Sequence, residues 1–276
     1  NVFNVKYICC RKKEDVKLKT DAAVISDENI ILNDSTINGI IIATQPEKHL
    51  QSASKFLKKG LKVFIEKPLA LSYKDCNEFA NIIKHKPSSG IMVGNKFVYS
   101  LAINNLKTFI SENNIQIKSI SSRWLKGSGV QTSGILFDIA YHHIYLFNYL
   151  LGKQFDDLKK FILNKNGKTA ITAVVILKYG SLTCSIESSY NNHFDFFDHS
   201  IRIETDKGTF IIKEENRKIS IYFDNKGPSS LSFKYHENRE TSVEEELLAY
   251  YEWVANEKEL KFGPENDFKI INFLEE

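Results

Sequence analysis

Residues 39–69 read GIIIATQPEKHLQSASKFLKKGLKVFIEKPL. Gly39 to Ala43 is a continuous β-branched run, which suits a parallel strand buried on both faces. It stops at Thr44-Gln45-Pro46, where proline removes a donor from the ladder. From His49 to Lys59 the apolar residues Leu50, Ala53, Phe56 and Leu57 fall on one helical stripe. Gly60 is placed to cap that helix. Leu61 to Ile65 is the next strand, ended at once by Glu66-Lys67-Pro68. Strand, helix and strand in this order form the unit of a parallel sheet with crossover helices.

The flanking segments extend the pattern. Val5 to Cys10 (VKYICC) is strand-like, and Asp21 to Ser26 suits a short strand or a helical turn. Tyr73 to Lys84 reads as a helix and Ile91 to Val93 as a strand. The sum is a Rossmann-type, doubly wound parallel sheet in an α/β chain. Ligands of such sheets lie at the carboxyl ends of the strands. Thr44 to His49, Glu66 to Pro68 and Gly94 to Lys96 are therefore expected to meet.

Beyond about residue 100 the alternation ends. Ala102 to Asn113 is a helix, Ile117 to Leu125 a strand and Phe137 to Leu151 a long apolar helix followed by Gly152. Strand-like runs follow at Ala170–Tyr179, Leu182–Tyr190, Ser200–Thr205, Gly208–Lys213, Lys218–Phe223 and Ser230–Tyr235. Turn signals such as Tyr179-Gly180-Ser181 and Asp206-Lys207-Gly208 make their connections local, hence antiparallel. Val243 to Asn256 closes the chain as a helix. The expected division is a dinucleotide-type domain over 1–98 and an α+β domain with a large, mostly antiparallel open sheet over 99–276.

Composition narrows the partners. The 276 residues are 42% hydrophobic and 26% charged, with 37 Lys plus Arg against 34 Asp plus Glu and a net charge of +3. That balance points to neither nucleic acid nor a membrane surface, and no apolar run nears the ~18 residues of a membrane-spanning helix. Cys9, Cys10, Cys76 and Cys184 have no metal-ligand spacing, so no metal is expected and a reducing, cytoplasmic setting is read. The only methionine is Met92 and the first glycine is Gly39. Asn1 is therefore not expected to start the gene product, and any glycine-rich phosphate-binding turn would lie upstream of it.

Two stretches carry chemistry together. One is Ile42-Ala43-Thr44-Gln45-Pro46-Glu47-Lys48-His49 with Val63-Phe64-Ile65-Glu66-Lys67-Pro68-Leu69. The other is Gly134-Ile135-Leu136-Phe137-Asp138-Ile139-Ala140-Tyr141-His142-His143. An A-T-x-x-x-x-H turn, an E-K-P strand end and a D-x-x-x-H helix start occur in that order. In this the chain resembles the Gfo/Idh/MocA oxidoreductases over nearly its whole length.

The resemblance implies NAD(P)-dependent hydride transfer between nicotinamide and a secondary alcohol or ketone of a sugar, sugar nucleotide or polyol. Lys67, Asp138 and His142 would be catalytic. A histidine titrates near neutrality and can take the hydroxyl proton, and an ammonium stabilises developing alkoxide charge. Asp138 and His142, four apart, would share a helical face, letting the carboxylate orient the imidazole. Singly, Lys67 suits a solvated strand end, Asp138 a helix N-terminal charge, and His142 or its neighbour His143 an ordinary helix position.

Ala43, Thr44, Gln45, Pro46, His49, Glu66, Lys67, Pro68 and Asn95 would line the cofactor. Cys10, Arg11 and Lys12 end the first strand, where an acidic residue usually takes the ribose hydroxyls of NAD. A basic end favours NADP(H) over NAD(H), although Glu14 and Asp15 stand nearby. Lys67, Lys96, Trp124, Asp138 and His142 would face the substrate. Arg123, Trp124 and Lys126 can contribute to a pocket for an anionic or sugar group, and Trp124 equally suits a core. Asn95-Lys96-Phe97 stands where many members carry Arg-Phe, and Tyr145 where an acidic residue is common. The open sheet resembles the family's oligomer surface, implying a homodimer or homotetramer. The alternative is a non-catalytic dinucleotide-binding sensor of the same fold, and a weaker reading is a chain that binds no cofactor.

Overall fold

The computed structural model describes residues 3–11, 21–86, 90–126, 129–190, 198–225, 231–260 and 262–275. In the first part, β1 (Tyr7–Cys9) pairs in parallel with β2 (Ala23–Ile25), followed by the short helix α1 (Asn29–Leu32). A parallel sheet of β3 (Gly39–Ile42), β4 (Lys62–Glu66) and β5 (Gly90–Gly94) lies in that order. The segment read as strand or turn at Asp21 to Ser26 is thus a strand. β3 is not buried on both faces as its run of isoleucines suggested: Ile40 and Ile42 are buried but Ile41 is 49% exposed. Ile41 points to the opposite face of the sheet from Ile40 and Ile42, and that face is open at this strand.

A 3₁₀ turn at Pro46–Lys48 leads into α2 (His49–Lys58), which buries Ala53, Phe56 and Leu57. Gly60, at φ +91°, ends it: the Gly60 amide donates to Leu57 and the Leu61 amide to Phe56. This reciprocal pair returns the chain to β4 and needs a left-handed residue at the glycine. α3 (Tyr73–His85) is capped by Ser72, whose hydroxyl accepts from the Asp75 amide at 3.1 Å.

The second part begins with a 3₁₀ turn at Lys96–Tyr99 and α4 (Leu101–Glu112), and is built on an eight-stranded sheet. Its strands are β6 (Ile117–Lys126), β7 (Asp157–Asn166), β8 (Thr169–Tyr179), β9 (Leu182–Tyr190), β10 (Asp198–Thr205), β11 (Gly208–Glu215), β12 (Lys218–Asn225) and β13 (Lys234–Asn238). The order is β13-β12-β11-β10-β6-β9-β8-β7, antiparallel except for β6 against β9. β7 carried no strand reading in the sequence. The expected strand at Ser230–Tyr235 lies later, over Lys234–Asn238, and residues 226–230 fall outside the described ones.

The long helix expected from Phe137 is two pieces. Leu136–Ala140 is a π-helical turn and α5 (Tyr141–Leu151) continues it as an α-helix, ended by Gly152 at φ +65°. Every residue of α5 from Tyr141 to Leu150 is buried, so the helix is a core element with no polar face.

The closing helix α6 (Arg239–Asn256) starts four residues before the expected Val243 and is followed by α7 (Glu265–Glu275), which the sequence reading missed. α6 returns to the β3–β5 sheet, and α7 packs on α3 and α5. The Tyr250 hydroxyl lies 3.0 Å from the carbonyl oxygens of Ile40 and Lys62. Gly39 and Gly90 admit this packing: a Cβ on either would collide with Tyr250 or with the Trp253 ring. α7 buries Asp267 completely, where it accepts from the Asn95 amide at 3.0 Å and from the Tyr141 hydroxyl. Burial pushes that carboxyl up to about 7. One continuous apolar cluster joins both parts.

Candidate active site

Lys67 follows β4 directly, and Asp138 sits in the π-helical turn before α5. The Lys67 ammonium donates to the Asp138 carbonyl oxygen at 2.7 Å and to its carboxylate Oδ1 at 3.2 Å. The other carboxylate oxygen accepts from the Tyr190 hydroxyl at 2.7 Å and lies 3.5 Å from the Lys126 ammonium. β6 and β9 bring these last two together, since Lys126 is in register with Tyr190. Burial disfavours the charged carboxylate of Asp138, but Lys67, Tyr190 and Lys126 outweigh it and hold it below its ordinary value. Burial lowers Lys67, against the pull of Asp138.

His142, one turn further on, is buried against aromatic rings. Its centroid lies 5.4 Å from Phe97, edge to face, and 5.8 Å from Trp124, stacked at 29°. Burial, then Lys67 and Lys96, push its value well below 6.5, so the imidazole is neutral. The expectation that Asp138 orients His142 is not met: no hydrogen bond joins them, and the carboxylate is taken by Lys67, Lys126 and Tyr190. The π turn explains it, because such a turn stacks residues i and i+5 instead of i and i+4.

Lys67, Lys96, Trp124, Lys126, Asp138 and His142 all line one cavity of about 300 Å³. Gly94 joins Lys96 there, as expected of their strand end, and three residues around the cavity have no motif in the sequence: Arg239, Val243 and Glu246. Tyr190, one residue back from the cavity, is likewise unmarked in the sequence. Arg123 is not brought in. It alternates to the other side of β6 and pairs with Glu187 at 3.1 Å and Asp198 at 3.7 Å.

Behind the cavity runs a buried polar chain. Glu214 Oε1 accepts from Arg239 at 2.9 Å, and Glu214 Oε2 faces His199 Nδ1 at 2.8 Å. His199 Nε2 faces His143 Nε2 at 3.0 Å, and His143 Nδ1 faces the Ser122 hydroxyl at 2.8 Å. A carboxylate only accepts, and burial holds both imidazoles below their ordinary values. The direction follows: His199 Nδ1 donates to Glu214, His143 Nε2 donates to His199, and Ser122 donates to His143. Trp124 stacks on His199 at 4.1 Å and 12°. His143 is thereby committed to the interior, and His142 is the histidine that reaches the cavity.

Two sequence models match the chain. One, an oxidoreductase family with an NAD-binding Rossmann fold, covers residues 8–95, and the other, the Gfo/Idh/MocA C-terminal domain, covers residues 109–211. The chain belongs to the Gfo/Idh/MocA oxidoreductase family. Inositol 2-dehydrogenase of Salmonella typhimurium is 24% identical over 147 residues, 52% of this chain and 44% of that protein. The chain matches less than half the length of this and the other curated relatives. A 3-ketoreductase from Actinomadura kijaniata, solved with TDP-benzene and NADP, superposes with a TM-score of 0.80 at 13% identity, covering 98% of this chain and 87% of its own. Levoglucosan dehydrogenase, solved with NADH and levoglucosan, gives 0.75 at 17%, covering 91% and 80%. At these identities the likeness is one of fold.

The strand ends suit the dinucleotide of a Gfo/Idh/MocA protein in part. Ala43, Thr44 and Gln45 after β3 and Glu66 at the end of β4 are exposed at the carboxyl edge of the sheet, where such ligands lie. Neither the Thr44 nor the Gln45 side chain bonds a described residue. Pro46 opens the turn beneath them. His49 does not join the ledge. It is fully buried, with Nδ1 3.0 Å from the Pro68 carbonyl and Nε2 3.1 Å from the Thr44 carbonyl, so it ties the two loops together from below. Pro68 is buried beside it. The Asn95 side chain also points elsewhere, to Asp267. Cys10, half-buried, is bonded through its amide to Ile25, and Arg11 is exposed after it. Lys12, with Lys13, Glu14 and Asp15, lies outside the described residues.

Proposed function

We propose that the protein is an NAD(P)-dependent dehydrogenase or reductase acting on a secondary alcohol or ketone of a sugar, sugar nucleotide or polyol. The observation that carries this is the meeting of Lys67, Asp138 and a neutral His142 on one cavity, beside the exposed strand ends of a dinucleotide-type sheet. When bound, the nicotinamide supplies the hydride acceptor, or the donor in the reverse direction. His142 takes the hydroxyl proton as the carbonyl forms, and its neutral state fits it for this. Lys67 holds positive charge near the reacting oxygen, where charge develops as the proton leaves. Asp138 keeps Lys67 in place. Trp124 and Phe97 keep water from the imidazole, and Lys96 contacts the substrate.

The basic Arg11 supports NADP(H) as the preferred cofactor. The open face of the eight-stranded sheet, where Phe161 and Leu163 of β7 are 50% and 63% exposed, supports a homodimer or homotetramer. Titration with NADPH and NADH, followed by quenching of Trp124 and Trp253, tests the reading. Binding of either, followed by sugar-dependent turnover that Lys67→Ala abolishes, upholds it. Binding without any turnover over a broad sugar panel favours the sensor, and binding of neither overturns it.

A further inference from the structure

The cavity has a second charged wall beyond Lys67 and Asp138. Arg239, Val243 and Glu246 stand four and three residues apart in the first two turns of α6, so they share a face, and that face lines the cavity with Lys96. Arg239 is held by Glu214, whose other oxygen is taken by His199. That leaves the rest of the guanidinium fork for a ligand. Glu246 is 3% exposed, and its Oε1 has no partner among the described residues. Burial, then the charge of Glu66, pushes it up to about 9, so at neutral pH it is a carboxylic acid with a proton to offer a ligand.

Lys96 is the unusual member. Lys67 and Lys126 share Asp138, and Arg239 has Glu214. Lys96 has no carboxylate within 4 Å among the described residues, only the Phe97 ring at 5.3 Å. Burial and the charge of Arg239 lower it to about 8. A partly buried cation without a counter-ion is costly, and a ligand that brings the counter-charge removes the cost. The first turn of α6 adds the positive end of the helix dipole.

We propose that Lys96, Arg239 and Glu246 form a recognition subsite for an anionic group, a carboxylate or a phosphate, carried by the substrate. This deepens the oxidoreductase reading and rests on it. Arg239 and Glu246 donate to the anion's oxygens, Lys96 neutralises it, and the sugar carbon that reacts lies toward Lys67 and His142. A neutral polyol leaves Lys96 unpaired and binds less well.

The NADPH-loaded protein is titrated at constant ionic strength with D-glucuronate, D-glucose 6-phosphate, D-glucose and D-glucosamine, read by Trp124 fluorescence. At least one anion is expected to bind ten-fold or more tightly than glucose, with glucosamine weakest. The order of glucuronate and glucose 6-phosphate tells carboxylate from phosphate. Lys96→Gln and Arg239→Gln each weaken the anion about ten-fold and narrow its margin over glucose. Arg239→Lys, which keeps the charge and loses the fork, gives a smaller loss and serves if Arg239→Gln does not fold. Equal affinities, tighter binding of glucosamine, or variants that bind the anion unchanged overturn the subsite. Dinucleotide binding with no anion preference sinks the subsite alone, whereas binding of neither NADPH nor NADH sinks the oxidoreductase reading and with it the subsite.

Discussion

Lys67 reaches from the end of the first parallel sheet to Asp138 in the π-helical turn of the second part, with its ammonium 2.7 Å from that residue's carbonyl oxygen. The contact joins two halves that fold from different stretches of the chain. It also makes the Lys67 ammonium serve both the ion pair and the cavity. Lys67→Met keeps the apolar stem and removes the charge. Turnover is expected to fall by about 10²- to 10⁴-fold, with dinucleotide binding retained. A variant with near-normal turnover would take Lys67 out of the chemistry.

His142, the proposed base, is expected to set the acid limit of the reaction. Its folded value lies below 6.5, so the neutral base persists as the pH drops past the ordinary histidine range. The acid limb of kcat/KM for alcohol oxidation is expected below pH 6.5, and His142→Asn should abolish it along with most of the rate. A limb centred at or above 6.5 would contradict the assignment.

Glu246 links stability to pH with the opposite sign to an ordinary carboxylate. Its value is raised from 4.5 to about 9. Between those limits the unfolded chain has lost the proton and the folded chain keeps it. Its contribution to stability is therefore full below 4.5 and declines as the pH rises toward 9, by at most about 1.4 kcal/mol per pH unit. Glu246→Gln keeps the shape and a donor and removes the titration. Its melting temperature relative to the parent protein should improve between pH 5 and pH 8, which thermal unfolding at the two pH values measures. A difference that stays constant refutes the linkage.

Gly90 is pressed by Trp253, with the ring carbon Cζ2 2.6 Å from where a Cβ would stand. Gly90→Ala must move the ring or the strand, at a cost of about 1–3 kcal/mol. Denaturant unfolding is expected to show that loss, together with a changed Trp253 emission. An alanine variant as stable as the parent would show that α6 is free to shift.

Arg11 is the exposed residue after β1 and Cys10. Arg11→Ser is expected to reduce the NADPH-to-NADH affinity ratio about ten-fold, equivalent to about 1.4 kcal/mol, with NADH binding little changed. An unaltered ratio would place the 2′-phosphate recognition elsewhere.

The β3–β5 sheet was legible because its strands are apolar runs, the first two of them followed by proline, and its helices carry one stripe each, with Gly60 as punctuation. The three motifs placed Lys67, Asp138 and His142 on one cavity for the same reason: they sit at strand and helix ends, which topology brings together. What the sequence concealed depended on tertiary partners. β7 is mostly polar and joins the sheet through β8. The π turn has no sequence mark, and it separates Asp138 from His142. His49 and Asn95 look like loop ligands, and only the packing shows their side chains turned inward. Arg239 and Glu246 lie on a helix whose apolar face gives no hint that its first turns border a cavity.

The helix α6 holds the parallel sheet at its far end, through Tyr250 and Trp253, and borders the cavity at its near end, through Arg239 and Glu246. Its eighteen residues make a rod of about 27 Å. Length and phase are locked at both ends. Deleting one residue between Glu246 and Tyr250 would swing the near end by about 100° and draw it in by about 1.5 Å, turning both side chains away from the cavity while leaving the sheet contact intact. The residue count of this stretch is therefore a ruler for the depth at which Arg239 and Glu246 stand in the pocket.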